Sequence, residues 1–425
     1  MKILHVILSV DLRGGGPIEG VFSSSRVWRQ HGHELHILCL DPPDAPWVLK
    51  SPVPTFSLGE GGRLYGFLRR ILPWLRYSYT PYLTRWLKIY AKEYDVVIVH
   101  GLWNYASYGS WRAMHKLDVP YFVYTHGMLD PWFNKAYPTK TFFKTIFWKL
   151  FEHKVLRDAR GVLFTCQEER ELASQSFSPY AAREFVVDFG ISDIEGDPDA
   201  QRAAFAASVP EIEGRKFILF LSRIHPKKGV DLLIQAFARH AMQLSELDVV
   251  IAGPDETGWK NDLQKLASEL GVADRVHWPG MLFGDVKWGA FRSAQFLVLP
   301  SHQENFGVVV AEALALGIPV LITNKVNIWR EIETDGAGFV VNDDVDDIAS
   351  GLQRMCGISI EERIALSAKC RECFLKRYDL KQNGMDLLTL IGRGSTLGKA
   401  GRPRRAYCGS MGGAGSAALS YCGDG

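Results

Sequence analysis

No run of apolar residues in this chain reaches the roughly 20 in succession that a membrane-spanning helix needs. Charge of one sign is lacking too. The 49 Lys and Arg are nearly matched by 47 Asp and Glu, leaving a formal net charge of +2, so composition makes no general case for a nucleic-acid partner. Cysteine is sparse and unpatterned. The seven positions (Cys39, Cys166, Cys356, Cys370, Cys373, Cys408 and Cys422) are odd in number and show no secreted-framework spacing. Cys370 and Cys373 form a single C-x-x-C with no second pair to complete a zinc site, and a helix surface is expected for them. A complete G-x-G-x-x-G is missing as well. Gly14-Gly15-Gly16-Pro17 follows the first strand, but Glu19 stands at the sixth position, which argues against a dinucleotide cofactor. The opening Lys2–Leu8 is too short for a signal h-region, and Asp11 and Arg13 follow closely. The expected location is therefore the cytoplasm.

What is present is alternation. Apolar strand patterns at Lys2–Leu8, Glu34–Cys39, Asp95–His100, Tyr121–His126, Gly161–Cys166 and Phe185–Phe189 are separated by helical patterns. The scheme repeats at Phe217–Leu221, Asp248–Ala252, Arg275–Trp278, Phe296–Leu299, Pro319–Thr323 and Gly338–Val341. Strands alternating with helices predict an α/β fold of two doubly wound parallel sheets, and 425 residues suffice for two separate cores. The expected division is a first domain over 1–192, a linker over 193–214, a second domain over 215–375, a crossover helix over 376–391 and a disordered tail over 392–425. That tail is rich in Gly, Ser, Ala and Arg and has little apolar surface to bury.

Two strand-to-helix turns in the second half carry chemistry. The run Phe296–Leu299 closes at Pro300 and leads through Ser301-His302-Gln303-Glu304-Asn305-Phe306-Gly307 into an apolar helix containing Glu312. A pair of carboxylates accepts hydrogen bonds from a diol such as a sugar or ribose. The backbone N–H groups at Phe306, Gly307 and Val308 favour an anion, a diphosphate above all, and Gly307 lets a ligand come close to the backbone. A capping Glu304 and a solvated Glu312 are the plain alternative. The strand Lys216–Leu221 ends in Ser222-Arg223-Ile224-His225-Pro226-Lys227-Lys228-Gly229, where Arg223 and Lys228 are placed to clamp a pyrophosphate. The alternative is ordinary solvated cations.

Taken together, "SRIHPKKGVDLLIQAF" and "ENFGVVVAEALALGIPV" resemble the retaining sugar-nucleotide glycosyltransferases of family 4, also called group 1. The resemblance runs from about Met1 to Leu390 and is strongest in the second half. It implies a GT-B architecture: two Rossmann-like domains facing an interdomain cleft, with a C-terminal helix returning to the first. It assigns the diphosphate to Arg223 and Lys228, the transferred sugar to Glu304, the ribose to Glu312, and a Gly-rich loop on the opposite wall to Gly15 and Gly16. His126 corresponds to the family's active-site histidine. The catalytic set it implies is His126, Glu304, Arg223 and Lys228; the donor-binding set is Gly15, Gly16, Arg223, Lys228, Glu304, Asn305, Phe306, Gly307 and Glu312. No cofactor and no metal are expected, because the nucleotide-sugar is a substrate and Asp344-Val345-Asp346 suits a helix N-cap.

The expected partners are a nucleotide-diphosphate sugar and a saccharide acceptor, lipid-linked among the candidates, in surface polysaccharide (lipopolysaccharide or exopolysaccharide) biosynthesis; no nucleic acid is expected. His100–Asn104 is expected to line the acceptor pocket. Two basic, aromatic runs, one with Arg69, Arg70, Arg76, Arg85 and Lys88, the other with Lys135, Lys140, Lys144, Lys149 and Lys154, suit either an anionic membrane face or ordinary core-packed helices. A GT-B enzyme of other chemistry, such as a sugar-nucleotide epimerase, and a non-catalytic saccharide or membrane adaptor are the competing functions.

Overall fold

The computed structural model describes residues 1–60, 77–117, 119–255 and 257–396. Its first sheet comprises β1 (Lys2–Ile7), β2 (Glu34–Cys39), β3 (Thr55–Ser57), β4 (Val96–His100), β5 (Tyr121–Tyr124), β6 (Gly161–Phe164) and β7 (Glu184–Val186). The second comprises β8 (Lys216–Leu221), β9 (Leu247–Ala252), β10 (Val276–Gly280), β11 (Leu297–Leu299), β12 (Val320–Thr323) and β13 (Gly338–Val341). The orders are β3-β2-β1-β4-β5-β6-β7 and β10-β9-β8-β11-β12-β13, and every ladder is parallel.

Helices on both faces explain why the central strands are near-continuous Val, Ile and Leu. All of β4 and all of β9 are buried, as a parallel sheet requires. The order reverses between β1 and β4 in one sheet and between β8 and β11 in the other. Loops leaving neighbouring strands diverge at those two points and open a crevice at their carboxyl ends. All five loops with suspected chemistry leave these strands or β5, next to them.

The chain passes between the sheets twice, side by side. The Ile191 N–H donates to the Tyr378 carbonyl at 2.9 Å, and the Leu380 N–H donates to the Ile191 carbonyl at 3.0 Å. After the helix Ile360–Arg377, the helix Leu380–Thr396 lies back on the first sheet. Its Leu380, Leu387, Leu388 and Ile391 join Ile3, Ile7, Val27 and Trp28 in one core cluster, and the Trp28 indole N–H donates to the Gly384 carbonyl at 2.8 Å.

Four expectations need correction. β3 was not foreseen: it has three residues, lies at a sheet edge and follows Pro52 and Pro54, so no apolar run announces it. The crossover helix expected over 376–391 is the second of two: Ile360–Arg377 ends before Tyr378 and Asp379, and the next starts at Leu380. The second continues to Thr396, past the expected start of the tail at 392, because its buried Ile391 anchors the final turn; residues 397–425 lie outside the described residues. Cys370 and Cys373 are buried rather than on a helix surface, and the Cys370 thiol lies 3.1 Å from the Ala337 carbonyl. Asp344 caps the helix Val345–Gly357, accepting from the Asp347 N–H at 2.9 Å.

Candidate active site

The loop after β11 is pinned before it reaches the helix. The Glu304 N–H donates to the Lys325 carbonyl at 2.9 Å, and the Glu304 carbonyl accepts from the Asn327 N–H at 3.0 Å. Gly307 then takes a left-handed conformation, with φ 75°, as the N-cap of the helix Val308–Ala315. A side chain there would be strained and would press on Val326 and Glu304. The turn aims the Glu304 carboxylate at the neighbouring loop from β8, where it forms an ion pair with the Lys228 ammonium.

Lys228 is buried. Burial, with the cations Lys227 and Arg223 close by, pushes its ammonium down to about 7; the Glu304 carboxylate opposes that shift. Arg223 is exposed at the loop's outer end. Lys227 is lowered as well, first by burial and then by Arg223. Lys227 and Arg223 thus stand beside the Lys228–Glu304 pair, with Asp130 acting on Lys227, and this grouping of cations suits a polyanion.

Glu312 lies one helix further along the cleft, and its carboxylate pairs with Lys287 at 2.6 Å. Burial raises its pKa, Lys287 pulls it down, and Glu19 of the first domain pushes it up. Glu19 and Glu312 line the same interdomain cavity of about 360 Å³, with Trp288, Val308 and Phe189. Neither Lys287 nor Glu19 stood out as a site residue in the sequence. Lys287 sits inside an unremarkable amphipathic helix, and only the presence of a partner for a buried Glu312 would have pointed to it.

The first domain closes the opposite wall. Gly15, at φ 89°, caps the helix Gly16–Gln30, with Pro17 in its first turn. A Cβ placed on Gly16 would lie 3.9 Å from Val308 Cγ2, so this loop faces the Gly307 helix start directly. A Cβ on Gly127, next to His126, would lie 2.6 Å from the Asn305 side chain. The His126 loop and the Glu304–Gly307 turn are thus in contact across the domains.

The side chains of Asn305 and Phe306, residues expected to bind donor, also take part in that contact. The Asn305 amide donates to Thr165 Oγ1 at 3.2 Å, and the Phe306 ring packs between Phe189 and Tyr378. The Gln303 amide donates to Asp130 Oδ2 at 3.1 Å, and Arg330 pairs with Glu168 and Glu171. His126 has φ 50° and belongs to a hydrogen-bonded line of imidazoles, its Nε2 lying 3.1 Å from His100 Nδ1. His100, expected with Gly101–Asn104 at an acceptor pocket, is buried beside His126 and lines a cavity with it, and Asn104 caps the helix Tyr105–Met114 by accepting from the Ala106 N–H at 2.9 Å.

Two parallel α/β domains, with glycine-rich and cationic loops facing each other at their switch points, define the GT-B class of fold. Solved structures agree. The chain aligns with the Anabaena protein HepE, crystallised with UDP and glucose, at a TM-score of 0.69 and 17% identity over 92% of this chain and 99% of that one. It aligns with WaaG, described as a glycosyltransferase of lipopolysaccharide biosynthesis, at 0.62 and 17% over 92% and 99%. At such identities these likenesses speak for the fold alone. "Glycosyl transferase 4-like domain" matches residues 15–190 and "Glycosyl transferases group 1" matches residues 201–369. Together they take in most of the chain, which belongs to the group 1, or family 4, glycosyltransferases.

Among its relatives is the D-inositol 3-phosphate glycosyltransferase of Geodermatophilus obscurus, 30% identical over 257 residues, or 59% of this chain and 56% of that protein. That of Mycolicibacterium smegmatis is 30% identical over 54% and 51%. The chain spans about two fifths to just over half the length of the relatives it matches.

Proposed function

We propose that this protein transfers a sugar from a nucleoside-diphosphate donor to a saccharide acceptor with retention of anomeric configuration. The observation that carries the reading is the junction of three loops. The Glu304–Gly307 turn pairs with Lys228 and touches the His126 loop through Asn305 and Gly127, and Val308 and Glu312 of the helix it starts line the interdomain cavity. In the proposed reaction the bond from the anomeric carbon to the diphosphate oxygen breaks. The acceptor oxygen bonds to the same face of that carbon, and its proton passes to the departing diphosphate. Such a reaction asks for positioning and for charge stabilisation on the leaving group. Lys228, Arg223 and the helix N–H groups supply the second. Glu304 holds sugar hydroxyls once a donor phosphate competes for Lys228, while Glu312, kept in place by Lys287, accepts from the ribose diol. No step calls for a metal.

A lipid-linked acceptor at a membrane surface is the favoured partner, on one observation. The helix Pro138–Phe147 and the turn after it expose Phe142, Phe143, Ile146 and Leu150 beside Lys140, Lys144 and Lys149, whereas Trp148 is in the core. Exposed aromatic and aliphatic groups flanked by lysines suit an anionic lipid interface. The other basic run lies largely outside the described residues. No helix among the described residues is long and apolar enough to cross a membrane.

A thermal-shift panel against UDP-, GDP-, ADP- and dTDP-sugars tests the donor reading, and NMR of the product's anomeric proton tests retention. Stabilisation by one nucleotide class is expected; none by any of the four overturns the reading. Co-sedimentation with anionic vesicles at low salt tests the membrane contact, which fails if the protein stays in the supernatant.

A further inference from the structure

Behind His126 lies a line of three imidazoles for which donor binding has no use. His126 Nε2 is 3.1 Å from His100 Nδ1, and His100 Nε2 is 2.9 Å from His5 Nδ1. The rings of His100 and His126 are within 15° of coplanar, and His5 stacks on Trp28. β1 and β4 are adjacent, and His5 is in register with Ile98, two residues before His100; the pairing of the strands thus sets the line.

Burial pushes His5 down to about 3 and His126 to about 4, and burial, with its two imidazole neighbours, holds His100 well below the usual imidazole range. All three are neutral near pH 7. A neutral imidazole has one N–H and one acceptor nitrogen, so the line has only two arrangements. Either every Nε2 carries the proton, or every Nδ1 does.

The far end decides between them. His5 Nε2 has no protein hydrogen-bond partner among the described residues. All three imidazoles line one cavity of about 50 Å³, and Ser24, Asp188 and Asn383 line it with them; it is large enough for a water. The Ser24 hydroxyl is already spent donating to the Gly20 carbonyl at 2.6 Å, and one of the two Asn383 amide N–H groups donates to the Arg377 carbonyl at 2.5 Å. Asp188 is a carboxyl that burial raises to about 6. With the Ser24 hydroxyl and one Asn383 N–H committed and Asp188 an acceptor when ionised, the cavity offers more acceptor than donor capacity, which favours the proton on His5 Nε2.

We infer that His5 and His100 are positioning residues that hold His126 as its Nε2–H tautomer, leaving its Nδ1 as a hydrogen-bond acceptor for a sugar hydroxyl in the cleft. The link is reciprocal: polarity set in a buried cavity fixes the hydrogen-bonding sense of an active-site atom two rings away. The inference rests on the glycosyl-transfer reading for its consequence, but its structural half stands apart from activity.

The test uses the full chain with 15N-labelled histidine. Ring nitrogen shifts at about neutral pH report each tautomer, the His126 signals being assigned by their loss in His126→Asn. All three residues are expected as Nε2–H; a His126 carrying its proton on Nδ1 overturns the inference. Two variants then separate positioning from packing. Glutamine at position 100 can accept from His126 and donate to His5, so His100→Gln should keep the tautomer and turnover within a few fold. His100→Leu cannot, and should leave His126 in mixed tautomers with kcat reduced on the order of 100-fold and donor KM little changed. If Leu lowers the melting temperature but leaves tautomer and kcat intact, the positioning role is wrong. Should His100→Leu fail to fold, His5→Leu against His5→Gln gives the same comparison. A protein that turns over no donor yet shows the Nε2–H line fails the functional reading and keeps the structural one.

Discussion

Lys228 and Glu304 neutralise each other across the gap between the loops that follow β8 and β11. In the proposed reaction a diphosphate entering beside Arg223 and Lys227 would take Lys228 from that carboxylate and free Glu304 for sugar hydroxyls. The pair therefore stores a preformed cation and a preformed acceptor at one point.

The pH dependence of donor binding follows from Lys228. Its ammonium is lowered to about 7 by burial and by Lys227 and Arg223, so in the donor-free protein the charge is present below that value and is lost as pH rises through it. Donor affinity should be higher at about pH 6.5 than at about pH 8.5, and Lys228→Met should abolish the difference while weakening binding at both. Titration calorimetry at the two pH values checks this; an unchanged slope in the variant refutes it. The variant also strands a mostly buried Glu304, at a cost of about 3 kcal/mol, visible as a lower melting temperature.

Removing Lys287 should act on binding alone. It holds Glu312 at 2.6 Å against a burial penalty that raises the carboxyl pKa. Without it, more of Glu312 is protonated and its aim is loose. Lys287→Met should raise donor KM several-fold with kcat within about two-fold, the pattern of an interaction equally strong in ground and transition states. A fall in kcat with constant KM would place Lys287 in the chemistry instead.

Stability should respond to pH through Glu152, which is fully buried. It accepts from the Ser107 hydroxyl at 2.5 Å and the Trp103 N–H at 3.1 Å, yet burial still raises it to about 7. An acid whose pKa is higher folded than unfolded stabilises the fold below its unfolded pKa of about 4.3 and loses that contribution as pH rises through about 7. Melting temperature should thus decline between about pH 5 and pH 8. Glu152→Gln, which keeps the shape and the acceptor oxygen, should flatten the decline and be the more stable form at pH 8. Equal slopes for the two proteins would show that Glu152 does not control it.

The readable parts of the sequence were those in which one residue type has one physical use. Central strands such as β4 and β9 are buried on both faces and are mostly apolar, and Arg223, Lys228, Glu304 and Glu312 are charged residues in or just after strand-to-helix turns. Partnerships were hidden. Nothing in the chain pairs Lys287 with Glu312 or lines up His5, His100 and His126, because each contact joins positions at least 25 residues apart and is set by strand order. Asn305 and Phe306 belong to the donor motif by sequence and to the interdomain contact by position; only the three-dimensional arrangement separates the two roles.

Gly229 offers the sharpest test of how the site is held. It is left-handed, at φ 65°, and an added Cβ would fall on the Pro300 carbonyl oxygen, the point where the two site loops touch. Gly258 is also left-handed, at φ 76°, but with open space around its missing Cβ. Gly258→Ala should therefore cost only the backbone strain, about 1 kcal/mol. Gly229→Ala carries the same strain and must in addition push β8's loop away from β11's, carrying Lys228 off Glu304. Donor KM should rise by about ten-fold or more in Gly229→Ala and stay near the parent value in Gly258→Ala, with the larger loss of melting temperature in the former. If the two alanines prove equivalent in both measurements, the close approach of the loops does not position Lys228, and the ion pair forms without it.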